Sequence, residues 1–246
     1  MTLKISFIKH MKIKLICEGS TTEDRKAENW GVSFLINKEI LFDTFGKAEK
    51  LLLNIKKFGI DISKLEKIII SHDDWDHISG LWSILKINNK VQVCICPKTK
   101  DEIKQRIKSY GASIIENVEP IQISNNLYTT GQMYAKRDGS ALYEQGVIIK
   151  TVTNTILLTG CAHPGILEMV EHSNKKLKLN INCIVGGFHL KDKEGLEIDN
   201  IVVKLMEIGI KKVFPIHCTG KLAEKKFVSA WKGSCYHLIE GAEIEV

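Results

Sequence analysis

The sequence contains no long apolar run. None of its segments approaches the roughly 20 consecutive apolar residues that cross a bilayer, so a membrane-spanning helix is not expected. The first ten residues are too polar for the hydrophobic region of a signal peptide. We therefore expect a cytoplasmic protein without a membrane partner. Met11 is an alternative start, which would make residues 1–10 an extra N-terminal leader.

Paired cysteines are also lacking. The seven cysteines are an odd number, and no two stand in a C-x-x-C arrangement. Cys94 and Cys96 are two positions apart on an expected strand and would share one of its faces. Free thiols in a reducing compartment fit this pattern better than disulfides do.

A basic block with interleaved aromatic residues is absent as well, so nucleic-acid binding is not indicated. The 35 Lys and Arg residues exceed the 29 Asp and Glu residues, which gives a net charge of +6. This excess could favour an anionic small-molecule substrate, or the lysines could simply keep the helix surfaces solvated. The sequence does not indicate an oligomeric state.

No repeat and no linker divides the chain, so we predict a single domain over residues 1–246. Hairpin patterns fill the first half, and strand and helix patterns alternate in the second half. This order predicts one α/β domain with two packed sheets and helices outside. The predicted strands are 12–17, 30–37, 39–43, 65–70, 91–96, 146–151, 155–159, 182–185 and 212–216, and the predicted helices are 48–58, 78–87, 101–110, 164–173, 196–208 and 222–231. Segments 20–29 and 134–139 are predicted to be polar loops, and the irregular stretch 112–140 is a candidate cap over the site.

Ionisable residues crowd one short turn. It follows the apolar run 65–70, which is typical of a buried strand, and it precedes a helical pattern. Its sequence is Ser71-His72-Asp73-Asp74-Trp75-Asp76-His77. So many ionisable groups cannot be buried in a short turn without a strong partner, and a pair of divalent metal ions is the natural partner of imidazole and carboxylate groups. A solvated acidic turn with a helix-capping aspartate is the alternative.

The turn resembles a known signature. His72-x-Asp74-x-Asp76-His77 is similar to the HxHxDH motif of the metallo-β-lactamase superfamily, with Asp74 at the position of the second histidine. Further similar motifs follow in the order of the family: Leu41-Phe42-Asp43-Thr44-Phe45-Gly46, Thr159-Gly160-Cys161-Ala162-His163-Pro164-Gly165-Ile166, Gly186-Gly187-Phe188-His189-Leu190 and His217-Cys218-Thr219-Gly220. The last three resemble the branch that contains the archaeal dihydropterin–ribofuranosylaminobenzene phosphate synthases. The resemblance extends from about Met11 to the C-terminus.

This resemblance implies an αββα four-layer sandwich, in which two mixed β-sheets are flanked by helices, with a dinuclear metal site. It implies that His72, Asp74 and His163 hold one divalent ion. The second ion would be held by Asp76, His77 and His217, and Asp76 would also be catalytic. The spacing agrees in part, because His72 and Asp74 are two apart on extended backbone and can face one ion.

The sequence departs from the family pattern at two places. The carboxylate of Asp74 makes the first metal position harder than an imidazole would, which favours iron or manganese and keeps zinc as an alternative. In addition, no histidine lies between His77 and His163, and Gly160-Cys161 stands where the family has Gly-Asp. Either His163 replaces the missing histidine, or Cys161 replaces the aspartate, or both do. We favour His163 as a ligand and Cys161 as a supporting neighbour, because cysteines in apolar surroundings are usually packing residues.

Three further residues are candidates for the site. Asp43 follows a strand, and it either orients a metal-bound histidine or only stabilises a turn. His189 follows two glycines that permit close backbone approach, so it is a candidate catalytic proton donor, and a packed histidine is the alternative. Gly220 opens a predicted helix whose first amides could hold a phosphate.

These observations favour a metal-dependent hydrolase or transferase with two divalent ions (Zn, Mn or Fe). Its substrate would be a phosphorylated or pyrophosphorylated small molecule, pterin-like by the resemblance. A lactonase or phosphodiesterase is one alternative, because a scaffold does not fix its substrate. A metal-binding or redox-sensing protein without enzymatic activity is the other, suggested by Asp74 and by Cys161 and Cys218 beside presumed ligands.

Overall fold

A computed structural model describes residues 11–245. The predicted leader, residues 1–10, lies outside the described residues. Within the described range, no helix combines the length and the apolar character that crossing a membrane requires. All seven cysteines are free thiols, and six of them are buried.

The described residues form two large β-sheets and one separate hairpin. In chain order the strands are β1 (Lys12–Gly19), β2 (Gly31–Ile36), β3 (Ile40–Phe42), β4 (Lys67–Ile69), β5 (Gln92–Ile95), β6 (Ser113–Glu116), β7 (Gln122–Ser124), β8 (Leu127–Thr129), β9 (Met133–Arg137), β10 (Ser140–Glu144), β11 (Val147–Lys150), β12 (Thr155–Thr159), β13 (Cys183–Gly187), β14 (Lys212–Ile216) and β15 (Glu243–Glu245).

The same residues form helices on the outside of both sheets. In chain order they are α1 (Thr22–Lys26), α2 (Ala48–Lys57), α3 (Trp75–Ile78), α4 (Leu81–Ile87), α5 (Asp101–Ser109), α6 (Ile166–Leu177), α7 (Gly195–Ile208) and α8 (Lys221–Trp231), with 3₁₀ turns at Ile62–Lys64, His217–Thr219 and Lys232–Ser234.

Both large sheets are mixed. The first has the strand order β15-β1-β2-β3-β4-β5-β6, antiparallel from β15 to β3 and parallel from β3 to β6. The second has the order β14-β13-β12-β11-β8-β7, parallel from β14 to β12 and antiparallel from β12 to β7. Among residues 11–245, strands β9 and β10 pair only with each other, as an antiparallel hairpin.

Three buried apolar clusters separate four layers. The central cluster joins the two sheets, with Phe34 and Phe42 of the first and Val185 of the second among its members. A second cluster lies between the first sheet and helices α2, α4 and α5. A third lies between the second sheet and helices α6, α7 and α8. Apolar burial on both faces of each sheet is the main favourable term for this arrangement, and the predicted αββα sandwich is confirmed.

Two element predictions are wrong in detail near the predicted metal turn. The segment 20–29 contains the short helix α1, because Thr21 and Asp24 form a reciprocal capping box at its start. The helix predicted for 78–87 begins at Leu81, and the separate turn of helix α3 contains Asp76 and His77.

A third prediction is wrong for the segment 134–139, which we expected to be a polar loop. It belongs to the hairpin of β9 and β10. The connecting residues Asp138 and Gly139 have φ of 50° and 80°, as the tight turns favoured in hairpins require. Tyr134 and Tyr143 form a cross-strand pair with ring centroids 5.7 Å apart. The polar run Lys136-Arg137-Asp138-Gly139 had suggested a loop, and few of the apolar side chains of this strand pair are buried. The cap over the site, suggested for residues 112–140, stays a prediction.

Candidate metal centre

The predicted site residues follow the carboxyl ends of strands in both sheets. In the first sheet, Asp43 follows β3, and the acidic turn follows β4. In the second sheet, Cys161 and His163 follow β12, His189 follows β13 and His217 follows β14. Because the carboxyl ends of neighbouring parallel strands meet at one edge of a sheet, the fold gathers these residues at one end of the sandwich.

Asp43 and Ser71 fix the orientation of two histidines. Ser71 Oγ donates to Asp43 Oδ2 at 2.7 Å, so the same hydroxyl accepts from His72 Nδ1, 2.8 Å away. His77 Nδ1 lies 2.6 Å from Asp43 Oδ2 and donates to it. In the neutral form of both histidines the proton is therefore on Nδ1, and Nε2 can bind a cation. His72 Nε2 is buried and has no hydrogen-bond partner among residues 11–245.

His163 and His217 are held in the same way. His217 Nδ1 lies 2.7 Å from the carbonyl oxygen of Gly19, and His163 Nδ1 lies 2.9 Å from Glu144 Oε2. Each acceptor requires an N–H, which again leaves Nε2 as the atom that can bind a cation. Holding the second ring nitrogen in this manner is the usual arrangement of metal-binding histidines in proteins.

Three groups of ligand atoms come together at this end of the sandwich, each with all its atoms within 4.8 Å of one another. Within the described residues these groups are Asp76-His77-Cys161-His217, His72-Cys161-His163 and Cys161-His189-Cys218. The first group joins the three residues predicted for one ion and adds Cys161. The second joins two of the residues predicted for the other ion, and Asp74 is in none of the three.

Asp76 and His77 carry opposite charges within the four-residue group. Asp76 Oδ2 lies 3.2 Å from His77 Nε2 and 3.6 Å from His217 Nε2. Burial raises the pKa of the Asp76 carboxyl, but His77 and His217 lower it more, so this pKa lies well below its usual range. Burial lowers the pKa of His77, but Asp76 and Asp43 together raise it well above its ordinary value. The carboxylates therefore favour a cation at this point, and a divalent ion would displace the proton of His77.

Cys161 belongs to all three groups. Its Sγ lies 3.3 Å from His77 Nε2 and 3.4 Å from His217 Nε2. Burial, and after it the neighbouring Cys218, raises the pKa of the Cys161 thiol well above its ordinary value. A divalent ion would reverse this effect, because a coordinating thiol is deprotonated. The Cys161 thiol thus lies where a metal ligand would lie, whereas the sequence had favoured a supporting role for it. The ligand assignments stay predictions.

Asp74 is bound by an arginine that the sequence analysis had placed in a loop. Both carboxylate oxygens of Asp74 accept hydrogen bonds from the guanidinium of Arg137, and Nη2 lies 2.9 Å from Oδ1. Asp74 Oδ2 also lies 3.4 Å from His72 Nε2. Burial raises the pKa of Asp74, but Arg137 and His72 lower it more, so this pKa lies well below its usual range.

Comparison with known proteins identifies the family. The family model of the metallo-β-lactamase superfamily matches residues 31–172, which is more than half of the chain. The chain belongs to this superfamily.

Relatives within the superfamily agree with the predicted branch. A protein of Methanocaldococcus jannaschii, named 7,8-dihydropterin-6-methyl-4-(β-D-ribofuranosyl)-aminobenzene-5′-phosphate synthase, is 30% identical, and the match covers 87% of this chain and 89% of that protein. The crystal structure of Tm1679, described as a metal-dependent hydrolase of the β-lactamase superfamily, has a TM-score of 0.78 and 25% identity, and covers 96% of this chain and 99% of that one. The metallo-β-lactamase fold protein YhfI of Bacillus subtilis has a TM-score of 0.68 and 14% identity, with coverage of 96% and 99%. The resemblance noted in the sequence is confirmed.

His189 lies at the edge of the site of this superfamily member. Its ring centroid is 4.4 Å from that of His163, and its Nδ1 is buried without a hydrogen-bond partner among residues 11–245. Its φ of 49° is in the left-handed region, which is uncommon for a residue other than glycine and is often found at functional sites. The backbone before it is closely packed, since a Cβ on Gly187 would lie 2.4 Å from the carbonyl oxygen of Gly160. The expected close approach is therefore present.

Glu144, like Arg137, is a residue of this site that the sequence did not indicate. It is fully buried. Its Oε1 accepts from the backbone N–H groups of Cys161 and Ala162 at 2.9 and 2.8 Å, and its Oε2 accepts from the backbone N–H and Nδ1 of His163. Burial raises the pKa of Glu144, but His163 and His72 lower it more, so the carboxyl stays ionised. The available signal in the sequence was an acidic residue two positions before the predicted strand 146–151.

Two cationic side chains lie beside Trp30, which contacts His217. Trp30 lies with its ring centroid 4.7 Å from that of His217 and packs on Cys161 and Cys218. The Lys191 ammonium is 5.2 Å and the Arg25 guanidinium 5.9 Å from the centroid of the Trp30 ring. Helix α8 starts directly after Gly220, which approaches the backbone of Lys191 closely. Positive charge and a helix N-terminus are thus next to the candidate metal centre.

Proposed function

We propose that the protein is a metal-dependent hydrolase or transferase that acts on a phosphorylated or pyrophosphorylated small molecule with a pterin-like organic part. One observation carries the metal dependence. Four buried or half-buried histidines each have Nδ1 bound to an acceptor, so in their neutral form Nε2 carries the lone pair that can bind a cation; they are His72, His77, His163 and His217. An acceptor on Nδ1 fixes the tautomer and orientation of each ring, as is usual for metal-binding histidines, and here four such rings lie close together.

The donor set fits a divalent ion. Imidazole, carboxylate and thiol groups are ordinary ligands of zinc, and the carboxylates also suit manganese and iron. The buried His72 Nε2, without a partner among residues 11–245, is a further donor directed into the site. A bound divalent ion would polarise a phosphoryl oxygen and make water a better nucleophile at neutral pH.

The chain's own residues supply the remaining functions. Asp43 and Glu144 hold histidines in the orientation that leaves Nε2 available. Lys191 and Arg25 provide positive charge beside Trp30, which supports an anionic substrate. The start of helix α8 beside Lys191 supports a phosphate at that point. We infer that His189, whose ring lies next to that of His163, gives a proton to a leaving group.

The pterin-like part of the proposal rests on the name of the Methanocaldococcus jannaschii relative. The test is to supply the protein with manganese, iron or zinc and a dihydropterin pyrophosphate, and to measure pyrophosphate release. Release without an added acceptor indicates hydrolysis, and release that requires a ribofuranosylaminobenzene phosphate indicates transfer.

Matched variants make this test specific. His217→Ala should abolish the release, and His237→Ala, which changes an exposed histidine, should not. Turnover of lactones or phosphodiesters alone would favour the alternative hydrolase, and absence of turnover in every metal-loaded sample would favour a binding or sensing protein.

A further inference from the structure

Arg137 occupies both oxygens of Asp74. Its Nη2 donates to Oδ1 at 2.9 Å, and its Nη1 donates to Oδ2. This two-point pairing is the strongest geometry that a guanidinium and a carboxylate can adopt. Asp74 is one of the three residues that the superfamily resemblance assigns to the first metal ion. A carboxylate paired in this way already has a positively charged partner in place of a metal ion.

The same guanidinium also reaches His163. Arg137 Nη1 lies 3.3 Å from His163 Nε2. A guanidinium has only donors, and His163 Nδ1 already donates to Glu144. His163 Nε2 must therefore be the acceptor, through the same lone pair that a metal ion would use. The guanidinium thus interacts with two of the three ligands expected for the first ion.

The hairpin of β9 and β10 holds Arg137 in this position. Arg137 is the last residue of β9, and Glu144 is the last residue of β10. Glu144 is fully buried and binds the loop that carries His163. One end of the hairpin is therefore fixed to the His163 loop, while the other places the guanidinium against Asp74. The Arg137 side chain is only 39% exposed.

We propose that Arg137 takes the place of the first metal ion, so that the chain binds one divalent ion, at Asp76, His77, Cys161 and His217. The guanidinium is permanently charged, so it supplies one positive charge where relatives with a second histidine would hold a metal. A second divalent ion would have to displace the guanidinium from Asp74 and then remain beside it, against charge repulsion. This inference rests on the metal centre of the proposed function and concerns only how many ions it holds.

The test is the metal content of the full chain, which needs no substrate. The protein is saturated with Mn(II), unbound metal is removed, and manganese is measured per chain by elemental analysis. We expect one ion in the wild type and two in Arg137→Ala, where Asp74, His72 and His163 become free to bind. Arg106→Ala is the matched control and should hold one ion, because Arg106 stacks on Trp82 in another part of the molecule. Arg137→Lys keeps the charge and should also hold one.

Two further measurements keep the inference testable if a variant folds poorly. His72→Ala should keep the single ion and His217→Ala should lose it, since only His217 belongs to the four-residue group. Electron paramagnetic resonance of Mn(II) should show an isolated ion in the wild type and a coupled pair in Arg137→Ala. Two ions in the wild type, or one ion in well-folded Arg137→Ala, would overturn the inference and leave the proposed function intact. No bound ion in the wild type would overturn both.

Discussion

Asp43 Oδ2 lies 2.6 Å from His77 Nδ1, and both side chains are fully buried. The same carboxylate accepts from the hydroxyl and the backbone N–H of Ser71, and that hydroxyl is 2.8 Å from His72 Nδ1. One carboxylate at the end of β3 therefore orients two histidines on the turn after β4. This contact between neighbouring parallel strands links the first sheet to the chemistry of the site.

We expect Asp43→Asn to weaken metal binding by roughly 10- to 100-fold, the usual effect of removing a carboxylate that holds a metal-binding histidine. The amide cannot serve Ser71 and His77 as the carboxylate does, and the electrostatic support for the cation is lost. Competition with a chelator of known affinity measures the change. Asp61→Asn, at an exposed 3₁₀ turn, is the control. Equal affinity in both variants would mean that Asp43 only stabilises the turn.

The sequence determines most of this fold through apolar periodicity. In the predicted helix 48–58, Leu51 and Ile55 are buried against the first sheet, because helical spacing aligns them on one face. The hairpin of β9 and β10 was not predictable in this way, since only Ala135 and Leu142 of its apolar side chains are buried. Its tight Asp138–Gly139 turn was the one local signal. A strand pair that buries only a few side chains leaves little trace in the apolar pattern of the sequence.

The site residues that are close together in the sequence were predictable. Those whose neighbours come from distant parts of the chain were less so. His72, Asp76 and His77 stand within one turn, and motif spacing identified them. The position of Cys161 between His77 and His217 depends on how two sheets face each other, which no local pattern contains. Glu144 was missed for the same reason, because its partners are the backbone N–H groups of another strand's loop.

The thiol of Cys161 gives a spectroscopic prediction. If Cys161 is a ligand of the single ion, the cobalt(II)-substituted protein will show a thiolate-to-cobalt absorption band in the near ultraviolet, and Cys161→Ser will lose it. Cys235→Ser should retain the band, since Cys235 is half-buried and is outside the three ligand groups. A band of equal intensity in Cys161→Ser would mean that Cys161 does not bind the ion and is only a packing residue.

The buried contacts of Glu144 lead us to expect an effect on folding stability that is separate from catalysis. We expect Glu144→Gln to lower the free energy of unfolding by about 2–4 kcal/mol, because it removes a buried charge that several N–H groups share. Urea denaturation of the protein before metal addition measures this. Glu119→Gln changes an exposed ion pair with Lys176 and should leave stability unchanged. If Glu144→Gln is as stable as that control, the loop of His163 is held by other contacts.

His189 provides the last prediction, which separates chemistry from metal binding. In our inference Asp76, His77 and His217 are ligands of the ion, and Asp74 and His163 pair with Arg137. Neutral His72 has its proton on Nδ1, bound to Ser71, so none of these residues is free to protonate a leaving group. His189 is next to them, with its ring 4.4 Å from that of His163 and its Nδ1 unbonded within the described chain. We expect His189→Ala to keep its metal content and to lose roughly 10²–10⁴ in turnover of a phosphoester or pyrophosphate, the usual contribution of a general acid or base. His172→Ala, on helix α6, is the control and should keep both. A proton donor must affect the rate of the reaction and leave the affinity for metal unaltered. Loss of metal in His189→Ala would therefore mean that His189 is a ligand, and unchanged turnover would mean that it is a packed histidine.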